Sequence, residues 1–151
     1  LTLLTLALVG FFVPLLWIAT PLLAFADFPL EPLPYAAGLA FFALGLWLFH
    51  RSHADLGRHW SITLELREQH ELVTGGVYSR IRHPMYLALF LYCIGQALVL
   101  PNWVAGPSYL AAFGLLYALR VGPEERMLRE RFGPQYAEYA ARTKRLVPGV
   151  W

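Results

Sequence analysis

The chain has 151 residues, 58% of them hydrophobic and only 15% charged, with a mean hydropathy of +0.49 and a net charge of +2. A soluble domain usually carries about 25% charge, and one this small cannot bury so much apolar surface, so the composition points to a membrane protein of one domain, 1–151. Nucleic-acid binding is excluded, because the basic residues are interleaved with acids rather than gathered in a basic face.

Residues 1–26 contain no charge, enough for a first helix at about 3–26. Pro14 and Pro21 predict a kink within it. The small residues Ala24 and Ala26 resemble the end of a signal peptide, but the apolar run is long for one and a retained helix is expected. A second uncharged run gives a helix at about 33–49. The third uncharged stretch, 84–119, has 36 residues and is too long for one ordinary span. Pro101, Asn102, Gly106 and Pro107 divide it, predicting a hairpin with arms at about 85–100 and 107–121. Pro123-Glu124-Glu125 then suits the start of a separate C-terminal amphipathic helix at about 123–142, with a break at Gly133-Pro134. The expected fold is therefore all-α: a polytopic membrane protein with four transmembrane helices, a polar connecting segment and a C-terminal interfacial helix.

All twelve Lys and Arg fall within 51–82 and 120–145, which together hold eight acids. The only other charges, Asp27 and Glu31, lie in the first connection. The excess of cations on one side predicts that both termini and the polar segments are cytoplasmic. Three of the five histidines, His50, His53 and His59, are close in sequence, but no Cys stands near them and no HExxH pattern occurs, so no metal is expected. Cys93 is alone and cannot form an internal disulfide.

Two places carry chemical potential. At the first, Thr74-Gly75-Gly76 forms a turn whose backbone N–H groups can face a ligand, and Arg80, Arg82 and His83 lead into Pro84 at a helix start. Such a helix N-terminus favours an anion, although headgroup anchoring by the arginines explains the same pattern. At the second, the Glu124-Glu125 pair stands close to the end of a span, where carboxylates are costly unless solvated, paired or used.

The run Leu72-Val73-Thr74-Gly75-Gly76-Val77-Tyr78-Ser79-Arg80-Ile81-Arg82-His83-Pro84-Met85-Tyr86 resembles the signature of isoprenylcysteine carboxyl methyltransferases and related phospholipid methyltransferases. Leu56-Gly57-x-x-Trp60-Ser61 and His70 fit upstream; Glu124-Glu125-x-x-Leu128, Phe132-Gly133-x-x-Tyr136-x-x-Tyr139 and Arg145-Leu146-x-Pro148 fit downstream. One departure is Ala88, where the family often has Gly, with a methyl group that narrows helix packing or cofactor access. The chain also lacks the extra N-terminal helices of eukaryotic members, which bears on whether a prenylated protein is the substrate.

The resemblance implies an integral membrane, S-adenosylmethionine-dependent methyltransferase without a Rossmann domain. Its acceptor would be a lipid or lipophilic small molecule from the bilayer, foremost an isoprenylcysteine-like carboxylate. A phospholipid amine or a thiol is the alternative. Gly76, Val77, Tyr78, Arg82, His83, Pro84, Tyr86, Glu124 and Glu125 would form the cofactor site. His83, Arg142 and Glu125 would serve the reaction, with Arg142 or Arg145 orienting an acceptor carboxylate and His83 removing a proton from a thiol or amine. Two other classes remain open: an NADPH-dependent membrane reductase and a non-enzymatic membrane subunit.

Overall fold

The computed structural model describes residues 2–57 and 71–147, with the side chains of residues 2–7 and 9 set aside. Trp60, Ser61, His70 and Pro148 of the expected motifs lie outside the described residues. Four helices are present among those described: α1 (Thr2–Ala19), α2 (Pro32–Leu56), α3 (Pro84–Val99) and α4 (Ala105–Arg142). Short 3₁₀ turns occupy Pro21–Ala26 and Gly76–Ser79. Among the described residues, α2 alone is both long and apolar enough to cross a bilayer by length and composition; Gly10–Ala19 and Pro84–Val99 are shorter apolar helices.

Prolines set most of the boundaries. Pro21 stops the first helix short of residue 26, leaving the 3₁₀ turn capped by Thr20. Pro32 and Pro84 stand in the first turns of α2 and α3, where their missing N–H groups cost nothing. The expected new helix at Pro123 does not occur: α4 runs through it and turns at Gly133, which has φ 50° and ψ −124°. A helix-interior proline loses one backbone hydrogen bond. Here the contacts of buried Tyr117 and Val121 before it and buried Glu125 after it hold the helix together.

In the bundle α1 packs on α4, α4 on α3, and α3 on α2. The α2–α3 seam is close because glycines face each other across it. A Cβ added to Gly95 would lie 2.9 Å from the Gly38 carbonyl oxygen and 2.9 Å from the Phe42 ring. Gly95→Ala is therefore expected to lower stability by about 1–3 kcal/mol in a detergent unfolding assay. Gly114→Ala, where nothing lies within 4 Å, should gain from helix propensity instead.

The two ends of the bundle are tied differently. At one end, buried Asn102 joins the first connection to the hairpin: its amide donates to Leu23 O (2.7 Å) and Asp27 Oδ1 (2.8 Å). Its side-chain oxygen accepts from the N–H groups of Val104 and Ala105 at the entry to α4. Trp17 Nε1 also donates to Asp27, and Phe28–Pro101 and Trp103–Ala26 backbone bonds complete the tie. At the other end, the segment after α4 runs parallel to the segment before α3, with Ile81 bridged to Lys144. Arg82 N donates to Lys144 O (2.7 Å) and His83 N to Arg145 O (3.0 Å).

Candidate active site

The glycine turn is held by the chain's own groups. Gly76 has φ +58°, and a Cβ there would run into the Asp55 carboxylate. Asp55 Oδ2 accepts the Val77 N–H at 2.9 Å, while Arg51 pairs with Oδ1 at 3.2 Å. The buried Tyr78 hydroxyl donates to Ser52 O, and the Tyr78 carbonyl accepts from the Tyr139 hydroxyl at 2.7 Å. A turn that sequence chemistry offers to an anionic ligand is thus met at Val77 by an internal carboxylate. Sequence reasoning missed Asp55, which lies 22 residues upstream of its partner. Only the need to satisfy a glycine nest hinted at such a group.

The backbone pairing of 81–83 with 144–145 brings the two separated motifs together around Glu125. Arg82 Nε donates to Glu125 Oε1 at 3.0 Å. Arg145 makes a two-pronged contact, Nε at 3.2 Å from both carboxylate oxygens and Nη2 at 2.9 Å from Oε2. His83 Nε2 approaches Oε1 at 3.3 Å, and Arg129 lies 3.9 Å from Oε2. The Glu125 side chain is 4% exposed. Burial on its own would raise its carboxyl pKa. Hydrogen bonds from His83, Arg145 and Arg82 outweigh this and hold it well below the usual carboxylate range. The same bond raises the pKa of Arg145. Arg82 is fixed further by donating from Nη1 to the carbonyls of Ala140 and Thr143.

Glu124 has a different environment. It accepts the Tyr86 hydroxyl at 2.7 Å on Oε2, with Arg120 Nε 3.9 Å away and His83 Nδ1 3.7 Å from Oε1. Its side chain is 24% exposed. Glu125 therefore has both oxygens engaged by cations, whereas Glu124 keeps acceptor capacity and access. Buried His83 stands between the two carboxylates.

Toward the helix interior the charged cluster rests on aromatic rings. Tyr86 meets Tyr117 edge-on with ring centroids 5.2 Å apart, and Phe90 packs on Phe113 and Tyr117. Tyr117, Val121 and Leu146 form a buried apolar group beneath Tyr86. Ala88 does not face this cluster. It lines an apolar cavity of about 380 Å³ among the four helices, together with Phe11, Gly45, Phe49 and Tyr109.

Of the residues expected from sequence, Arg82, His83, Tyr86, Glu124 and Glu125 thus converge: Arg82 and His83 just before α3, Tyr86 in its first turn after Pro84, and the glutamates on α4. Gly76, Val77 and Tyr78 form the adjoining turn. Arg142 is exposed at the end of α4 and makes no ion pair among the described residues; Arg145 takes the two-pronged contact.

The family model for phospholipid methyltransferases matches residues 33–135, which take in α2 from its second residue, all of α3, and α4 through the Gly133 turn. Protein-S-isoprenylcysteine O-methyltransferase B of Arabidopsis thaliana is 34% identical over 115 residues, 75% of this chain and 58% of its own. Cobalt-zinc-cadmium resistance protein CzcN of Cupriavidus metallidurans is 34% identical over 106 residues, 70% of this chain and 49% of its own. Among solved structures, the eukaryotic intramembrane Ras methyltransferase, an isoprenylcysteine carboxyl methyltransferase, superposes with a TM-score of 0.69 at 31% identity. That match covers 77% of this chain and 42% of the other. The chain spans about half the length of these relatives. The matched region carries the RHPxY and EExxL motifs whose side chains meet at Glu125 and Glu124, and on that basis the chain belongs to the phospholipid methyltransferase family.

Proposed function

We propose that the chain is an integral membrane, S-adenosylmethionine-dependent methyltransferase of a lipophilic acceptor, with an isoprenylcysteine-like carboxylate as the group methylated. The observation that carries this reading is the meeting of Tyr86 and His83 from α3 with the adjacent glutamates of α4, at the polar end of an otherwise apolar bundle. The residues fit the cofactor's polar groups. Glu124, partly exposed and with acceptor capacity left, takes ribose hydroxyls or the ammonium group. Glu125 is a strut that fixes Arg82, His83 and Arg145 around it. Tyr86 and the rings behind it supply an apolar wall for adenine.

When bound, S-adenosylmethionine supplies a methyl group on a sulfonium. A carboxylate acceptor is already a nucleophile, so the protein's tasks are to orient it and exclude water. Arg145 and Arg120 are the partly exposed cations beside the glutamate pair, suited to orienting a carboxylate. The membrane topology has four spanning helices, with the end that bears Glu124 and the cationic segments in the cytoplasm.

Calorimetric titration of the purified chain in detergent with S-adenosylhomocysteine tests the reading. Saturable binding is expected. Binding of NADPH without the homocysteine product would overturn it in favour of a reductase. An acceptor screen with a prenylcysteine, a phospholipid amine and a lipophilic thiol then tests the acceptor class, and turnover of either of the latter in place of the carboxylate would overturn that assignment.

A further inference from the structure

Tyr136 is 1% exposed and sits one turn beyond the Gly133 bend of α4. Its hydroxyl has no hydrogen-bond partner among the described residues. Three other tyrosines nearby have hydroxyls that donate within the fold. Tyr139 donates to the Tyr78 carbonyl, Tyr78 to the Ser52 carbonyl and Tyr86 to Glu124. A buried hydroxyl without a partner is a net cost that phenylalanine, of the same shape, would avoid.

The surroundings tell which kind of partner suits it. The hydroxyl lies in the field of Glu125, Arg82, Arg129 and Glu124. Burial, with Glu125 next, pushes it up to about 12, so it is a neutral donor at physiological pH. Three guanidinium groups, those of Arg82, Arg129 and Arg145, surround the single Glu125 carboxylate. A buried donor hydroxyl beside two carboxylates already engaged by the fold, with Arg82 and Arg129 to offset added negative charge, suits an anionic oxygen.

We propose that the Tyr136 hydroxyl is a ligand-directed donor, filled in the loaded site by a carboxylate oxygen. The inference rests on the methyltransferase reading and deepens it. Two ligands share that chemistry: the amino-acid portion of the cofactor and the acceptor's own carboxylate.

Tyr136→Phe separates this role from packing, with Tyr139→Phe as its opposite. The unfolding midpoint of ligand-free Tyr136→Phe should equal or exceed that of wild type. That of Tyr139→Phe should fall, because its bond to Tyr78 is lost. Calorimetry then compares three probes. For S-adenosylhomocysteine, affinity should fall by roughly tenfold to a hundredfold in Tyr136→Phe if the cofactor carboxylate is the partner. 5′-Methylthioadenosine, which lacks that carboxylate, should bind both proteins equally. A similar loss confined to N-acetyl-S-farnesylcysteine would identify the acceptor's carboxylate and equally support the assignment. Equal affinity of Tyr136→Phe and wild type for both carboxylate ligands would overturn it, as would a lowered unfolding midpoint for Tyr136→Phe. Wild-type protein that binds neither carboxylate ligand would instead sink the methyltransferase reading itself, and this inference with it.

Discussion

Glu125→Ala is expected to cost about 3–5 kcal/mol of stability, the range for breaking a buried ion pair from one side. The residue contributes only one charge, but Arg82, His83 and Arg145 all turn toward it. Removing it leaves the Arg82 guanidinium, 11% exposed, without its carboxylate. The same change unties the α4 surface from both segments that pair beside it. Unfolding in detergent against a denaturant series measures the loss, with exposed Glu130→Ala as a control expected to move stability by less than about 0.5 kcal/mol. Wild-type stability in Glu125→Ala would show that the cluster is ornamental. The effect also has a pH signature. The folded pKa of Glu125 lies below its unfolded value near 4.5, so its contribution is complete above that value. As pH falls below about 4.5 the unfolded chain takes up a proton first, and stability declines until the folded carboxyl also protonates. Glu125→Ala should lack that part of the acid slope.

Glu124→Gln should give the contrary phenotype one residue away. Its carboxylate is partly exposed and holds the Tyr86 hydroxyl, a bond that the amide oxygen of glutamine can still accept. Stability should therefore change by less than about 1 kcal/mol. Affinity for S-adenosylhomocysteine should drop by roughly tenfold to a hundredfold, because a charge-assisted contact to the ligand is lost. Unchanged affinity with retained fold would remove Glu124 from the ligand-binding role. Paired in one study, the two variants separate the buried, cation-paired carboxylate from the partly exposed one beside it.

Prolines made the starts of α2 and α3 legible, and the apolar run marked the extent of α3. Helix α2, expected to end at 49, continues to Leu56 because the polar turn 50–56 lets Ser52 bond Leu48 O and Asp55 receive the Val77 N–H. The hairpin turn was legible from Pro101 and Asn102, though the tie from Asn102 to Leu23 and Asp27 was not. That tie depends on which loops share an end of the bundle. Pro123 misled for the complementary reason. Local propensity favours a helix start there, while the packed surfaces of Tyr117, Val121 and Glu125 carry α4 through it. At the site, the adjacent glutamates and the RHPxY run announced themselves by type. The different environments of Glu124 and Glu125 needed the parallel pairing of 81–83 with 144–145, a relation across more than 60 residues that no local pattern encodes. Asp55 escaped notice for the same reason, since its carboxylate is defined by a turn that lies beyond the end of its own helix.

That pairing also fixes the order in which a working molecule is made. Arg82 and His83 are translated about 60 residues before their backbone partners, Lys144 and Arg145. Helices α2 and α3 can pack as soon as both have been translated, whereas the chemistry end must wait for a closure of high contact order. A translational stall before residue 145 would leave Glu125 with Arg82 but without the two-pronged contact from Arg145. Among the described residues, the polar end is thus the part of the bundle whose closure waits longest on synthesis.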